Sequence, residues 1–350
     1  MAEKFLVRIA DEHPPVPGYD VKYTVEALYA ADALEAKEYT LKTDCADAKI
    51  DGNILTVPQS VWESTEQIAI TAEYKENPKI TAQYILSLRH WEMTFSDSFE
   101  NMWQWSDAFA HERGKHNNPF LAMDPESTFI ENGRLVLENR LLTTPIEGKY
   151  RYTGAAVSTR GRFSQKYGCF TAKAKCPVKD GILVSFWMIP EGRDTGDSYA
   201  KGVLCKHEKD GLIRRCAEID VFEQFGAQSH GKDGHVGATL HFWHDKEGYC
   251  GGMGHSYDIP NFKDGSFHEY TCIWEPLAMY FYVDGVFYYK TEGLIEAEYA
   301  DEADMVLSSF PTAPKAIIEQ TGFDYNGWMG YMEEENYPQR FEVEFVRAYK

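Results

Sequence analysis

One pattern limits this chain more than any other: residues of opposite character alternate one by one in segment after segment, the period of a strand rather than of a helix. In CFTAKAKC, residues 169–176, Phe170, Ala172, Ala174 and Cys176 fall on one face and Thr171, Lys173 and Lys175 on the other. FEVEFVRAYK at the carboxyl end puts Phe341, Val343 and Phe345 on one side by the same count. MYFYVDGVFYY reads as a hairpin, two aromatic runs joined at Asp284-Gly285. Aromatic residues make up 14% of the chain and are spread along it, a composition that suits strands. Long amphipathic helices and repeats of 20–50 residues are not evident. An all-β fold is expected, a two-sheet sandwich or jelly roll.

At 350 residues the chain is longer than one such core needs, so two domains are expected. Residues 1–88 read as short strands, with Ile68, Ile70 and Ala72 alternating in EQIAITAEY and a turn at Asp51-Gly52-Asn53. They combine no nucleophile with a base, and the segment resembles a small bacterial immunoglobulin-like β-sandwich. Residues 89–350 form the second domain.

The formal charge of −20 makes nucleic acid and acidic membrane unsuitable partners, because each would meet a repulsive field. Neutral substrates fit best. Seven cysteines, an odd number without a CxxC pair, do not suggest a disulfide scaffold and read as small buried apolar side chains. No run of 18 apolar residues occurs, and MAEKFLVRIADEHPP lacks the apolar core of a signal peptide. The expected location is secreted or at the cell surface, after removal of a leader, with the cytoplasm as the alternative.

The most informative ten residues are AEIDVFEQFG, residues 217–226. Glu218, Asp220 and Glu223 sit among Ile219, Val221, Phe222 and Phe225, in strand-forming company where exposed loop acids are out of place. By period two Glu218 and Asp220 share a face, whereas Glu223, five residues after Glu218, points the other way. One extra residue, a β-bulge between Asp220 and Glu223, brings the third acid back. Three crowded carboxyl groups repel, so at least one is expected to keep its proton near neutrality. Glycoside hydrolysis uses such a pair: an ionised carboxylate attacks the anomeric carbon and a protonated one donates to the leaving oxygen. A calcium site or a solvated acidic face are the competing explanations for the same residues.

At this cluster the sequence resembles glycoside hydrolase family 16, in the laminarinase-like branch marked by Glu-x-Asp-x-x-Glu. The resemblance extends through WEMTFSDSFE, YTGAAVSTRGRFSQKYGCFTAKAKCP, GILVSFWMIPEG, TLHFW, FHEYTCIWEPLAMYFYVDGV and FEVEFVRAYK in order, over about residues 91–350. It implies a concanavalin-like β-jelly roll with a sugar-binding cleft, acting internally on β-1,3- or β-1,3(4)-glucan by a retaining double displacement. An endo-β-galactosidase of the same family and a non-catalytic lectin-like binder are the alternatives. Carried over by position, Glu218 is the nucleophile, Asp220 its partner and Glu223 the acid/base. Trp187 matches the aromatic beside the cleaved sugar, although core packing explains it equally well without the resemblance. His241 matches a cleft position or is a structural histidine, and Trp243, Trp103, Trp105 and Trp328 are candidates for outer subsites. Three positions depart from the family. Ala156 stands where many glucan-cleaving members have arginine, and Glu344 and Ser98 replace the usual acids of a structural calcium site. No cofactor is expected to be required; structural calcium at Glu344 is compatible with the residues. The expected partner is a neutral β-linked polysaccharide, met by a monomer.

Overall fold

The structure, a computed structural model, describes residues 5–29, 32–109, 112–114, 118–190, 203–206, 211–225, 234–244, 248–262, 265–295, 302–312, 314–317 and 330–350. It divides into two compact units, Met1–Glu92 and Met93–Lys350.

The first unit has a sheet that runs from the strand Phe5–Ile9 through Val21–Tyr29 and Ile54–Val57 to Lys49–Asp51, and a second of three strands, Tyr39–Thr43, Gln67–Tyr74 and Thr81–Ser87. Alternation decides what is buried: Ile68, Ile70 and Ala72 face a core shared with Val25, Leu55, Val57 and Trp62. The Asp51-Gly52-Asn53 turn closes a two-stranded hairpin, with Gly52 at φ +61° where a side chain would be strained.

Among the described residues, the regular structure of the second unit is almost entirely strand, in two antiparallel-dominated sheets around one apolar core. Eight strands carry the argument and are labelled here: β1 (Tyr150–Ser158), β2 (Gly168–Lys175), β3 (Ile182–Pro190), β4 (Ile213–Phe225), β5 (His235–His244), β6 (Gly248–Asp258), β7 (Ala303–Pro311) and β8 (Gln339–Tyr349). The inner sheet runs β1-β7-β3-β4-β5-β6, and β2 pairs with β8 in the other sheet. This is the jelly-roll sandwich expected from the alternation. Phe170, Ala172, Ala174 and Cys176 all enter the core, as their period predicts. The Asp284-Gly285 hairpin is also present, both residues having positive φ (50° and 73°), the conformation of the two-residue turn that suits twisted strands.

The last strand departs from strict alternation. Lys173 faces Phe345 and Ala174 faces Val343, so Glu344 is an extra residue, a bulge in β8. Phe341, Val343, Val346 and Ala348 belong to the core, but Phe345 is turned to the opposite face, under the Arg347 guanidinium 3.9 Å from its ring centre. The expected common face of Phe341, Val343 and Phe345 is thereby corrected: one inserted residue reverses the parity of all that follows it.

Candidate active site

The site is made by two irregularities in β4. Against β5, Cys216 faces Phe242 but Glu218 faces His241, so Ala217 is supernumerary; Asp220 faces Thr239 but Glu223 faces Gly237, so a second residue is supernumerary there. The β3 side has the same shift, with Phe186 opposite Phe222 and Trp187 opposite Asp220. Between these bulges the alternation sorts side chains cleanly. Cys216, Ile219, Val221 and Phe222 join the core with Leu240 and Phe242. Glu218, Asp220 and Glu223 share the other face, opposite His241, Thr239 and Gly237. The bulge required between Asp220 and Glu223 is there, and a second one, at Ala217, turns the run so that Cys216 is buried while Glu218 faces outward.

Four β5 positions separate the partners of the two glutamates, so their Cα atoms lie roughly 13 Å apart along the pleat. Side chains leaning toward one another from that separation can approach the spacing at which two carboxyl groups flank one glycosidic bond. Gly237 keeps this room open, since a Cβ added there would meet nothing within 4 Å.

Asp220 lies between them, 3% exposed, with its Oδ2 3.0 Å from His241 Nε2. Glu218, Asp220 and His241 each bring one ligand-type atom within 4.8 Å of the others. Burial of the imidazole opposes its charge, but the Asp220 contact and the charges of Asp220, Glu218 and Glu223 outweigh it and raise His241 to about 9. With the imidazole protonated, Asp220 and His241 form an ion pair beside Glu218.

Glu223 has the opposite fate. Burial, then the Asp220 charge and more weakly that of Glu218, push its carboxyl up to about 8, against the pull of His241 and of a hydrogen bond from Thr239 Oγ1 to Oε2 at 3.4 Å. Glu223 therefore holds a proton in the pH range where an ordinary glutamate has lost it. One face thus presents a carboxyl able to donate and, four pleat positions away, a second carboxyl in the field of a cation.

Trp187 belongs to this face. It packs with Ile189, Val306 and Phe109, and its Nε1 donates to Ser308 Oγ at 3.2 Å. Ser308 Oγ is 2.6 Å from Ser185 Oγ, and Ser185 is the β3 neighbour of Glu223. Trp243 is half-buried, edge-on to His241 at 6.2 Å between ring centres. Trp105 is corrected to a core residue. Only 2% exposed, it donates from Nε1 to Asp97 Oδ2 at 2.9 Å and packs on Phe95 and Phe99, since the indole N–H found a buried carboxylate. Trp103 is 80% exposed, in the turn before the short strand Ser106–Asp107, and has no described contact with the acids. Trp328 lies outside the described residues.

Glu344 does not fit a calcium ligand. Its Oε1 takes Lys173 Nζ at 2.9 Å, an ammonium where the divalent ion would sit, and Ser98, exposed, offers only a hydroxyl. Sequence reasoning passed over Phe109, Thr239, Ser185 and Ser308; serine and threonine in strands read as ordinary spacing residues, and nothing in WSDAFAHERG marks its phenylalanine.

The chain is similar to known proteins over most of its length. The chain is 27% identical over 274 residues to a β-glucanase of Rhodothermus marinus, covering 75% of this chain and 86% of that one. It is 23% identical over 288 residues to a keratan-sulfate endo-1,4-β-galactosidase of Sphingobacterium multivorum, covering 79% and 59%. The laminarinase catalytic domain of Thermotoga maritima shares the fold, with a TM-score of 0.55 at 24% identity over 75% of this chain and 99% of that domain. Residues 122–322, more than half the chain and including the whole bulged strand, match the sequence profile of Glycosyl hydrolases family 16, and the chain belongs to that family.

Proposed function

We propose that the chain is a retaining, endo-acting hydrolase of β-1,3- or β-1,3(4)-glucan. The observation that carries this reading is the doubly bulged β4, which puts Glu218 and Glu223 on one face and leaves the second with its proton. In the first step Glu218 attacks the anomeric carbon as Glu223 gives its proton to the glycosidic oxygen, leaving a covalent glycosyl-enzyme. Glu223, now ionised, takes a proton from water as the water attacks the same carbon, and Glu218 departs. Asp220 contributes through its charge, held by His241: it makes the loss of the Glu223 proton unfavourable without reacting itself.

The choice of glucan draws on the β-glucanase and laminarinase named above. The galactosidase relative and Ala156 favour a second reading, hydrolysis of a β-galactan; the net charge of −20 weighs against its sulfated forms. Reducing ends released from laminarin, lichenan, agarose and keratan sulfate separate the two. Cleavage of laminarin or lichenan, with the β-anomer formed first by NMR, is expected; release from the galactans alone would overturn the glucan assignment, and release of the inverted anomer would overturn the double displacement.

The reading extends to two coarser features. Polysaccharides of this class are too large to enter a cell, which supports action at or beyond the cell surface. The first unit, two antiparallel sheets around one core, suits an immunoglobulin-like accessory module.

A further inference from the structure

Phe109, on the cleft side of the inner sheet, has a backbone conformation unusual for a bulky side chain. Its φ of 60° is left-handed, a region that bulky side chains rarely enter and keep only where their surroundings hold them. What holds it is visible. Its ring is parallel to that of Trp187 (2° between planes, 6.1 Å between centres) and it packs on two apolar clusters, Trp187 with Ile189 and Val306, and Leu121, Met123, Ala156, Leu183 and Phe310. Register places both clusters away from the core: Leu183, Trp187 and Ile189 alternate with core residues Val184, Phe186 and Met188, and Ala156 faces Ser308 while its neighbours Ala155 and Val157 face inward. Trp187 in turn is the β3 neighbour of Asp220.

We propose that Phe109 is a specificity-determining residue, forming with Trp187 a single aromatic wall on which the C–H face of the sugar beside Asp220 is oriented. Phe109 is half-buried whereas Trp187 is 8% exposed, so the phenyl ring supplies the accessible part of the wall and the indole its fixed backing, anchored through Ser308. A pyranose turned with its hydroxyls toward this wall would leave them without partners on an apolar surface, and that cost selects the orientation. The inference rests on the glycosidase reading.

The test uses the full chain with Phe109→Tyr, which keeps the ring, and Phe109→Gly, which removes it yet suits a left-handed backbone. KM for laminarin is expected to rise about threefold to tenfold in Phe109→Gly with kcat changed far less, and to return to the wild-type value in Phe109→Tyr. Calorimetric binding of laminaritetraose in a Glu218→Gln background is expected to weaken by the same factor. Phe109→Gly combined with Trp187→Ala should bind no more weakly than Trp187→Ala alone, because the two rings act as one surface. Wild-type KM and affinity in Phe109→Gly, or strictly multiplicative losses in the double variant, would overturn the proposal. Failure of the wild-type protein to cleave or bind any β-glucan would instead remove the glucan assignment, and the same variants would then be compared on the polysaccharide that is cleaved.

Discussion

The strands β4 and β8 each carry a bulge at or beside acidic residues, and of the two only β4 makes a site. In β8 the extra residue is Glu344, which pairs with Lys173, and two positions earlier Glu342 pairs with Lys175 at 3.0 Å and with Arg134 at 3.6 Å. In β4 the bulges bring Glu218, Asp220 and Glu223 to one face, where Asp220 is paired with His241 and the acids lie beside one another. The backbone device is the same; the partners differ. An acid matched by an ammonium loses the incentive to hold a proton, whereas acids set against each other and removed from water are obliged to share the charge, which pushes Glu223 to about 8. The comparison teaches that a bulge only aims a side chain, and that its cross-strand neighbours decide whether the result is a salt bridge or a proton donor.

The sharpest way to break this contrast is to remove the carboxylates of β4 one at a time. Glu218→Gln is expected to lower kcat for laminarin by about 10⁴-fold or more, because no other group forms the covalent bond. Glu223→Gln should cost about 10²- to 10⁴-fold and erase the alkaline limb of the pH profile. In the wild type that limb falls as pH rises through about 8, where Glu223 loses the proton it must donate. Steady-state rates across mildly acidic to alkaline buffers decide it, and a wild-type rate that stayed flat past the Glu223 titration would remove it as the acid.

The same group makes a prediction about stability with the opposite sign to its effect on rate. Its pKa is raised from 4.5 unfolded to about 8 folded, so between those values the folded state binds a proton that the unfolded chain has released. Stability is thus drawn down as pH rises from about 4.5 to about 8. Glu223→Gln has no proton to lose, so its melting temperature should overtake the wild type's over that window, by about 1 to 2 kcal/mol of stability near pH 8 after allowance for partial exposure. A scan of Tm against pH for both proteins checks it, and curves that stay parallel would refute the assigned shift.

His241 refines the contrast, since its imidazolium is the countercharge paired with Asp220. His241→Gln is expected to lower kcat/KM by about tenfold through loss of the Asp220 contact. It should also move the alkaline limb to higher pH, because the imidazolium holds the Glu223 pKa down. A limb that moved to lower pH would mean that His241 does not carry its charge in the free enzyme.

How much of this could be read in advance differs between the two strands. The bulge after Asp220 was legible because the acids are conspicuous and five residues is an odd step, so a strand with one working face had to break its period. The bulge at Ala217 was not, since Cys216 and Ala217 are both small and apolar and either can face the core. In β8 the pattern misled: Phe345 is as apolar as Phe341, and the bulge at Glu344 turns it to the other face of the sheet, where Arg347 covers it. Trp105 and Trp187 look alike in sequence, and their roles separate only through the hydrogen-bond partner each indole finds, Asp97 in the core or Ser308 beside the site. Phe109 has no periodic neighbours at all, and its importance comes from a contact across 78 residues of chain, which a local pattern does not encode.

The smallest expected effect falls on the outer bulge, and it tests the comparison from the other side. Lys173 and Glu344 are each about one-third exposed in their side chains, so their attraction is screened by water and offset by the entropy of fixing two long side chains. Glu344→Gln should leave kcat/KM for laminarin unchanged and lower stability by less than about 1 kcal/mol. If Glu344 were instead a calcium ligand, added calcium would raise Tm in the wild type and the increase would vanish in Glu344→Gln, since an ion bound only by the folded state stabilises it by mass action. With the lysine ammonium already on the carboxylate, wild type and variant are expected to show equal Tm in calcium and in chelator.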